Sequence, residues 1–584
     1  MKPAVKRWTL VPHVPEAVER LATATSVPHV VAQLLLSRGV VDPAEAKRFL
    51  GTPLNELHAP EKLPGAVEAA DRIWSAVQSR QRICIYGDYD VDGTTGTAIL
   101  WQTLTALGAA VEYYLPKRLD EGYGLNCEAL RTLAASGVNL VITVDCGIAS
   151  LDEADESRRL GLDLIVTDHH EFKERLPDCC GRVHPRLPGS DYPFSGLSGA
   201  GVAFKLAWLI GQRASGGTKV SERLREVLLD AVGLAALGLI ADVMPLVGEN
   251  RILVKHGLHR MRTVPTPGIK ALIESAGLTA GAALRAEDVG FRLAPRLNAA
   301  GRLGCARLVV DLLTTPSEQR AKELAAYLEK QNQERQQTER RIAVQAREMV
   351  HAQGREHDRA IVLASSEWHP GVIGIVAGRL AEQFHRPTLL IAIANDSATG
   401  SGRSIPGFAL HEGLAKCGEA LIAHGGHAAA AGFRLHPDHI DSFRDLFLQH
   451  AGTVYPSGPP EPVLRLDSEV PLAVLTSGLV RDLDRLEPFG CGNPRPRFLA
   501  AGLTIVGEPK AMGNGERHLS FRVKQGQTTL RAVAWSMAER TADLMSAGGA
   551  CCLAFVPKIN EWNGYTNVEM EVVDFQPGEC ATLS

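Results

Sequence analysis

Carboxylate and imidazole side chains follow apolar runs at four places in this chain, each time where the run ends. Carboxylate oxygens with one or two imidazole nitrogens suit Mn²⁺ or Mg²⁺ better than a metal that prefers thiolates. Bound ions of this kind commonly catalyse phosphate chemistry. The sequence therefore predicts a site for divalent metal ions. The residues that would form it or lie beside it are Asp88, Asp90, Asp92, Asp145, Asp168, His169, His170 and Asp242.

Most of the apolar runs before these residues have the length and composition of buried β-strands. They alternate with helix-like segments, which predicts an α/β fold with a doubly wound parallel sheet. Ligands bind such a sheet beyond the carboxyl ends of its strands, so we expect Asp88, Asp145 and Asp168 to meet at one crevice. The predicted elements are strands at 82–86, 111–115, 140–144 and 162–166 and helices at 97–107 and 227–240.

Two other interpretations compete with a metal-ion site. Residues 88–93 match the opening of a calcium-binding EF-hand loop, but the twelfth position is Ile99, where calcium needs a glutamate. Capping of helices and turns explains most single aspartates in loops. It does not explain why carboxylates gather at successive strand ends, where their repulsion costs stability without a cation. Because two adjacent rings point in different directions, we predict His169 as a metal ligand and His170 as a phosphate donor.

Size and composition limit the possible classes of protein. A chain of 584 residues is too long for one core and predicts several domains. The net charge of −4 means that a polyanionic partner must meet a local basic lining. The 11 cysteines form no Cys-x-x-Cys pair, which suits neither a zinc ribbon nor a disulfide framework and indicates a reducing compartment. Without an apolar leader or a run long enough to span a bilayer, we expect a soluble, cytoplasmic protein with no membrane partner.

The rest of the pattern predicts how the chain divides. A polar stretch rich in Glu, Gln, Arg and Lys indicates one extended helix, a second α/β pattern with glycine-rich turns follows, and short strands after a Pro/Gly linker indicate a small barrel. The predicted segments are an N-terminal helical segment at 1–60, a catalytic α/β domain at 61–315, a connecting helix at 316–354, a smaller α/β domain at 355–452 and an OB-like nucleic-acid-binding domain at 463–584.

Several motifs, taken in order, resemble those of the DHH phosphoesterase superfamily. They are Asp-x-Asp-x-Asp-Gly at 88–93, Val-Asp-Cys-Gly at 144–147, Thr-Asp-His-His at 167–170 and Ala-Asp-Val at 241–243. Gly425-Gly426-His427 resembles a motif of the companion DHHA1 domain. Arg-Leu-Asn-Ala-Ala-Gly-Arg at 296–302 and Leu-Glu-Pro-Phe-Gly-Cys-Gly-Asn-Pro at 486–494 resemble the RecJ family within the superfamily. The resemblance extends over residues 60–575.

The resemblance implies a single-strand-specific DNA exonuclease that degrades from the 5′ end to mononucleotides in recombination and repair. It implies two Mn²⁺ or Mg²⁺ ions, with Asp145 bridging between them. The first ion would be bound by Asp92, Asp145, His169 and Asp242 and the second by Asp90 and Asp145, with Asp88 and Asp168 as supporting neighbours. Some superfamily members have a metal-binding histidine at the position of Tyr86, so we expect the ion on the Asp90 side to be weakly held.

Substrate contacts are expected outside the metal centre. Arg302 lies in a family-like motif, and a guanidinium grips phosphate with two hydrogen bonds. Ser401, Arg403 and His427 lie beside glycines and are candidates to recognise a 5′ phosphate. The predicted barrel carries aromatic and basic residues, which suit single-stranded DNA. The family resemblance further implies a single-stranded-DNA-binding protein and a helicase as partners.

Two other functions remain open at this point. One is a DHH phosphodiesterase for short oligoribonucleotides or cyclic dinucleotides, which would usually lack the terminal barrel. The other is a non-catalytic single-strand-binding scaffold with a decayed site. The presence of all five predicted ligands, Asp90, Asp92, Asp145, His169 and Asp242, argues against the scaffold.

Overall fold

The computed structural model describes residues 6–116, 124–172, 174–279, 281–302, 305–562 and 565–580. The chain forms two compact units, each of which gathers segments that are distant in sequence. In the described part of the chain, no helix has both the length and the apolar character needed to cross a bilayer. The first unit comprises Asp42–Asn332 and Arg485–Arg495, and the second comprises Met1–Val41, Gln333–Asp484 and Pro496–Ser584.

The first unit is built on a five-stranded parallel sheet with the order β3-β2-β4-β5-β6. Its strands are short runs of buried apolar residues, which confirms the predicted α/β fold with a doubly wound sheet. The sequence did not predict the edge strand β6, because only three residues pair there. Three elements precede the first unit in the chain and belong to the second unit: β1 (Arg7–Leu10), α1 (Pro15–Thr25) and α2 (His29–Ser37). The first unit up to this edge contains α3 (Pro43–Gly51), α4 (Ala66–Gln78), β2 (Arg82–Gly87), α5 (Val91–Ala106), β3 (Ala110–Tyr114), α6 (Cys127–Ala135), β4 (Leu140–Val144), α7 (Leu151–Arg159), β5 (Asp163–Thr167) and β6 (Gly181–Val183).

Buried helices complete the first unit and pack beside the sheet. α5, α8 and α9 contact one another through apolar faces that belong to one large core. The predicted polar helix is a single helix of 35 residues, α15, whose residues divide between the two units. The helices are α8 (Gly199–Ser215), α9 (Glu222–Ala241), α10 (Gly248–Thr263), α11 (Pro267–Ser275), α12 (Ala286–Asp288), a π-helical turn (Val289–Leu293), α13 (Ala294–Arg302), α14 (Arg307–Thr314) and α15 (Glu318–Ala352).

The second unit contains a five-stranded mixed sheet with the order β10-β11-β9-β8-β7. Only β7 and β8 are parallel, and the other neighbouring strands are antiparallel. This is the smaller α/β fold that the sequence predicts after the long helix. Its elements are β7 (Ile361–Ser365), α16 (Pro370–Phe384), β8 (Thr388–Ala394), β9 (Ser397–Arg403), α17 (Leu410–Lys416), β10 (Ala423–Gly426), β11 (Ala430–Leu435) and α18 (Ile440–Val454).

The C-terminal strands close into a barrel, because β14 pairs with both β15 and β17. The predicted OB-like barrel is therefore confirmed. Strand β1 pairs in parallel with β12. We expected the N-terminal segment to be helical, and it is not entirely so. The elements are β12 (Val463–Leu466), β13 (Ser468–Glu469), α19 (Ser477–Asp484), β14 (Phe498–Met512), β15 (His518–Gln525), β16 (Thr528–Ala534), α20 (Thr541–Met545), β17 (Ala550–Trp562) and β18 (Tyr565–Pro577).

One disulfide in the second unit corrects the interpretation of the cysteines. Cys552 in β17 is bonded to Cys580, just beyond β18. The antiparallel register of the two strands places Cys552 opposite Gln576, and this brings Cys580 back beside Cys552. The spacing of the cysteines in sequence did not reveal this pair, because the pairing depends on strand register.

Candidate metal centre

Three neighbouring strands of the first unit deliver their carboxylates to one edge of the sheet. Asp88 follows β2, Asp145 follows β4, and Asp168 follows β5. The backbone continues the ladder at each exit, with Asp88 N–H donating to Val144 O at 3.2 Å and Asp145 N–H donating to Thr167 O at 3.0 Å. The predicted convergence of residues that are far apart in sequence is therefore present.

Asp145 has a left-handed backbone conformation, with φ = +65°. Aspartate and asparagine tolerate this conformation better than most residues with a Cβ. Gly199 packs against its side chain so closely that a Cβ at Gly199 would lie 2.6 Å from the Asp145 carboxylate. The position of Asp145 is therefore set by an unusual backbone angle and by a glycine on α8.

The aspartate motif that follows β2 forms the beginning of α5, six residues earlier than the sequence predicted. Asp90 is the N-cap of this helix and accepts a hydrogen bond from Gly93 N–H at 2.9 Å, so the capping interpretation holds for this residue. The carboxylate of Asp92 lies at the N-terminus of α8. It accepts hydrogen bonds from Ser198 Oγ at 2.8 Å, Gly199 N–H at 2.6 Å and Ala200 N–H at 3.1 Å.

A first cluster of possible metal ligands surrounds the ring of His169. Its Nε2 lies 3.1 Å from Asp145 Oδ1, 3.6 Å from Asp242 Oδ2 and 3.8 Å from Asp92 Oδ2. The ligand atoms of Asp92, His169 and Asp242 all lie within 4.8 Å of one another. The structure thus brings together the four residues that the family resemblance implies for one ion.

A second cluster adjoins the first. Ligand atoms of Asp88, Asp90 and Asp145 lie within 4.8 Å of one another, so Asp145 is shared between the two clusters. Sequence reasoning placed Asp88 among the supporting neighbours, whereas the structure places its carboxylate in the same group as Asp90 and Asp145. This cluster offers three carboxylates where we expected two.

The electrostatics of both clusters fit bound cations. Burial, together with repulsion from Asp90, raises the pKa of Asp88 well above its usual value. Burial, together with repulsion from Asp92, raises the pKa of Asp145 and Asp242, that of Asp242 to about 8. Burial lowers the pKa of His169 to about 4, so its imidazole is neutral as a metal ligand must be.

Two buried ligand atoms also lack the hydrogen bonds that protein interiors normally provide. Asp88 Oδ1 and His169 Nε2 make none within the residues that the structure describes. A buried polar atom without a partner is costly, and one cation in each cluster would satisfy these atoms. The donor set, the burial and the repulsion together fit two hard divalent ions.

Asp168 has a different environment from the other carboxylates. It accepts hydrogen bonds from Ile148 N–H at 3.0 Å, His169 N–H at 2.7 Å and His170 Nδ1 at 2.8 Å. Although burial acts against ionisation, these bonds hold the pKa of Asp168 at about 2. In return, the hydrogen bond to Asp168 outweighs the burial of His170 and raises the pKa of its ring to about 9.

Tyr86 is a core residue and not part of the clusters. It is fully buried, and its hydroxyl donates to Gly124 O at 3.1 Å and accepts from Asn126 Nδ2 at 3.2 Å. Its ring packs on that of Tyr114, 5.1 Å away between centroids. A structural tyrosine thus occupies the position at which we expected some superfamily members to have a metal-binding histidine.

Sequence reasoning missed several residues that support the centre. Ser198 and Gly199 hold Asp92, and a Cβ at Gly238 would lie 2.5 Å from Asp92 Oδ1. Arg186 donates to His169 O at 2.5 Å, and the buried ring of His184 lies 2.9 Å from His170 O. The Ser-Gly-Ala-Gly run at 198–201 was the one available signal, because small residues permit close approach of a helix terminus.

The predicted phosphate-binding residues of the second unit lie on β9 and in the turn between β10 and β11. In the pairing with β11, Ser401 is opposite Gly432 and Arg403 is opposite Ala430. His427 N–H donates to Ala430 O at 2.8 Å, and Arg403 Nη1 donates to Ser401 Oγ at 3.3 Å. Ser401 and Arg403 face α16, since a Cβ at Gly374 would lie 2.7 Å from Ser401 Oγ.

Arg302, the other predicted phosphate contact, is the last residue of α13. Its side chain lies outside the described residues.

Models of three domain families match the chain. They are the DHH family N-terminal domain over residues 82–236, the DHHA1 domain over 357–452 and the RecJ OB domain over 466–574. Together with the two acid clusters, these matches define a metal-dependent enzyme of the DHH class. The predicted resemblance to this superfamily is confirmed.

Whole-chain comparisons narrow this class to one family. The single-stranded-DNA-specific exonuclease RecJ of Bacillus subtilis is 38% identical, over 97% of this chain and 70% of that protein, and RecJ of Escherichia coli is 33% identical over 96% and 98%. The crystal structure of RecJ from Thermus thermophilus in complex with Mn²⁺ matches with a TM-score of 0.83 at 34% identity, over 98% of this chain and 80% of that chain. A structure of the same protein with Mg²⁺ matches with a TM-score of 0.77. The chain belongs to the RecJ family.

Proposed function

We propose that this protein is a single-strand-specific DNA exonuclease that degrades from the 5′ end and releases 5′-mononucleotides in recombination and repair. The observation that carries this proposal is the pair of adjoining ligand clusters that share Asp145, within a fold that matches manganese-bound RecJ over 98% of this chain and 80% of that one. The relatives are named as single-stranded-DNA-specific exonucleases, and this supports the same substrate here.

We assign one Mn²⁺ or Mg²⁺ ion to Asp92, Asp145, His169 and Asp242, and a second to Asp88, Asp90 and Asp145. Two such ions, when bound, polarise the phosphodiester, lower the pKa of a coordinated water from about 15.7 toward 7 and stabilise the departing 3′ oxygen. The α8 N-terminus fixes Asp92, and the left-handed backbone fixes Asp145. Rigid placement of both carboxylates reduces the reorganisation that the reaction requires.

His169 and His170 take different parts in this scheme. His169 is neutral and buried, so it suits coordination. His170 is half-buried and positively charged near neutral pH because Asp168 holds its proton. A cationic ring beside a cluster of metal ligands suits an oxygen of the scissile phosphate. We therefore assign His170 to the phosphate and Asp168 to the positioning of His170.

Recognition of a terminal 5′ phosphate is assigned to Ser401, Arg403 and His427, with Arg302 as a further phosphate contact. Hydroxyl and guanidinium donors on one strand, with an imidazole in a nearby turn, suit a phosphate dianion. This assignment predicts that Arg403→Gln raises KM about 10-fold, on the scale of one charged hydrogen bond, for 5′-phosphorylated single strands, with kcat within a few-fold of wild type. Substrates with a 5′ hydroxyl should not distinguish the two proteins.

A matched control for Arg403→Gln is Lys416→Gln. Lys416 is an exposed cation and the last residue of α17 in the same unit. The Lys416→Gln substitution should leave KM unchanged for single strands with a 5′ phosphate and for those with a 5′ hydroxyl. An equal rise of KM for phosphorylated and unphosphorylated ends in Arg403→Gln would contradict the assignment.

The C-terminal barrel is assigned to binding of single-stranded DNA, because the RecJ OB domain model matches it and this fold commonly binds single strands. The same barrel argues against a phosphodiesterase for short oligoribonucleotides or cyclic dinucleotides, which needs no extended binding surface. Complete ligand clusters argue against a non-catalytic scaffold.

The proposed substrate also defines the proteins that act alongside. Duplex DNA must be opened before a single-strand exonuclease can use it, so a helicase would supply the substrate. A single-stranded-DNA-binding protein would compete for the product of that opening or deliver it. We propose both as partners, in the cytoplasm where chromosomal DNA of a bacterial cell is processed.

The deciding experiment uses single-stranded DNA labelled at the 5′ or the 3′ end, with Mn²⁺, Mg²⁺ or chelator. Early release of labelled mononucleotide from the 5′-labelled strand alone is expected, and only with metal. Blunt duplex should resist digestion. Asp145→Ala serves as the inactive control. Early release from the 3′ end, or equal rates on duplex and single strand, would overturn the proposal.

A further inference from the structure

An eleven-residue segment near the C-terminus belongs to the first unit, although the chain on both sides of it belongs to the second. This segment, residues 485–495, follows α19 and precedes β14. It contains the Leu-Glu-Pro-Phe-Gly-Cys-Gly-Asn-Pro motif at 486–494, for which the catalytic scheme above gives no role. We call it the 485–495 segment.

A buried arginine anchors the start of the 485–495 segment. Arg251 of α10 is 1% exposed, and its Nη1 donates to Leu486 O at 2.8 Å. Its Nη2 donates to Arg485 O at 3.3 Å and its Nε donates to Phe49 O at 2.9 Å. The guanidinium also lies 3.9 Å from the centre of the Phe49 ring. A buried cation is costly without such partners, so the segment and Arg251 require each other.

A buried asparagine closes the segment on itself. The Asn493 side chain is fully buried, and its Nδ2 donates to Leu486 O and to Pro488 O, both at 2.8 Å. Gly490 and Asn493 exchange two backbone hydrogen bonds, of 2.9 and 3.2 Å. These bonds give the segment a defined shape without any regular secondary structure of its own.

The shaped segment lies against the loop that carries a predicted metal ligand. This Asp242 loop, residues 242–247, joins α9 to α10. Leu246 N–H donates to Cys491 O at 2.7 Å. A Cβ at Gly490 would lie 2.8 Å from Leu246 Cδ1, and a Cβ at Gly492 would lie 3.1 Å from Pro245 Cβ. Both glycines therefore permit a close backbone contact with the loop.

The Asp242 loop needs such support more than the rest of the centre. The Asp242 side chain is 28% exposed, whereas those of Asp92 and Asp145 are 1% and 2% exposed. The next residue, Val243, has φ = +57° and is 68% exposed. A β-branched residue in the left-handed region is strained, and strain of this kind persists only where the surroundings impose it.

We propose that the 485–495 segment holds the Asp242 loop in its metal-binding conformation, with Arg251 and Asn493 as positioning residues. The ion assigned to Asp92, Asp145, His169 and Asp242 is therefore supported by a part of the chain that begins 238 residues after the loop ends. Outer supports of metal ligands typically change metal affinity about 10- to 100-fold. This inference rests on the metal centre proposed above.

The test measures Mn²⁺ binding to the full-length protein without DNA, by titration monitored with electron paramagnetic resonance. Asn493→Ala removes both closing hydrogen bonds, and Gly492→Ala places a methyl group against Pro245 at a residue with φ = +71°. Each variant should bind one of two Mn²⁺ ions about 10-fold more weakly. Amide exchange at 243–247 should accelerate, and nuclease activity should return toward the wild-type rate as Mn²⁺ is raised.

The matched control is Gly161→Ala. Gly161 has φ = +68° and open space around it, and it lies in the turn before β5, at the opposite end of that strand from Asp168. It carries the same backbone strain and should bind Mn²⁺ as wild type does. Wild-type Mn²⁺ affinity in both segment variants, whatever their melting temperatures, would overturn the inference. Gly492→Ala alone decides the test when Asn493→Ala does not fold. Absence of Mn²⁺ binding by the wild-type protein would instead refute the proposed function.

Discussion

Two neighbouring regions of the first unit hold carboxylates in opposite ways. The pocket of Asp168 supplies N–H donors and a cationic ring, and these lower the pKa of Asp168 to about 2. In the two acid clusters, burial and mutual repulsion raise the pKa values of Asp88, Asp145 and Asp242. The protein itself compensates the charge of Asp168, whereas the carboxylates of the two acid clusters require cations that the chain does not provide.

This difference separates carboxylates that stabilise the fold from carboxylates that destabilise it in the absence of metal ions. A carboxylate whose folded-state pKa is lowered stabilises the fold above its unfolded pKa near 4, and that stability is lost as the pH falls toward 2. A carboxylate whose pKa is raised destabilises the metal-free fold at neutral pH. Bound cations turn the destabilising contribution of these carboxylates into a stabilising one. Addition of metal ions and mutation of the carboxylates therefore test the comparison directly.

Removal of divalent ions should have the largest effect. Chelation with EDTA is expected to abolish nuclease activity and to lower the melting temperature of the first unit. At Mn²⁺ concentrations about 100-fold above the dissociation constant, binding should stabilise the fold by about 2.7 kcal/mol relative to the metal-free state. Differential scanning calorimetry with and without Mn²⁺ measures this. A melting temperature that does not respond to Mn²⁺ would remove the distinction between the two regions.

Asp145→Asn should separate activity from stability. Asparagine tolerates the left-handed backbone at this position, so the substitution changes charge more than shape. We expect activity to fall about 10³-fold, the scale for loss of one preorganised electrostatic contact. The metal-free variant should be more stable than wild type at neutral pH by about 1 kcal/mol or more, since one pKa unit corresponds to about 1.4 kcal/mol.

With Mn²⁺ present the order should reverse, because only the wild type gains the full binding energy. Paired thermal melts of both proteins, with EDTA and with Mn²⁺, provide the measurement. A variant that is less stable than wild type under both conditions would mean that Asp145 is held by the protein, as Asp168 is.

The comparison also shows how far the sequence alone determines such a site. The strands β2, β4 and β5 and the meeting of their aspartates were predictable, because apolar runs mark parallel strands and their carboxyl ends share one edge. The different charge states of Asp168 and Asp145 were not predictable. They depend on what faces each carboxylate in the folded chain. Ile148 N–H donates to Asp168, whereas burial and repulsion from Asp92 act on Asp145.

Other features were unpredictable for the same reason. The sequence placed Asp88 beside the metal ligands but could not show how close its carboxylate lies to those of Asp90 and Asp145, because side-chain direction after a strand depends on the local turn. Cys552 and Cys580 pair through strand register. The 485–495 segment contacts the Asp242 loop from far along the chain, and no periodicity in sequence signals such a contact.

Asp168→Asn should have an intermediate effect. Unlike Asp145→Asn, it should lower the stability of the metal-free protein. The amide nitrogen would replace one acceptor oxygen and face N–H donors, so we expect a loss of about 1–3 kcal/mol with or without Mn²⁺. Activity should fall about 10- to 100-fold, as for other outer supports of metal ligands. Thermal melts and single-turnover rates measure both. Higher metal-free stability in this variant would contradict the comparison.

Ser198→Ala should have the smallest effect. Ser198 combines the two modes of holding a carboxylate, because it is a protein donor to a predicted metal ligand. Its hydroxyl donates to Asp92 Oδ1 at 2.8 Å and also caps α8, so the protein compensates part of the charge of one metal ligand. Loss of the cap should cost about 1 kcal/mol. Because the backbone N–H groups of Gly199 and Ala200 still hold Asp92, activity should fall only a few-fold. Thr266→Ala, which removes the hydroxyl cap of α11, is the matched control. It should lose similar stability and no activity, and an equal loss of activity in both variants would show that the hydroxyl of Ser198 acts on the fold and not on Asp92.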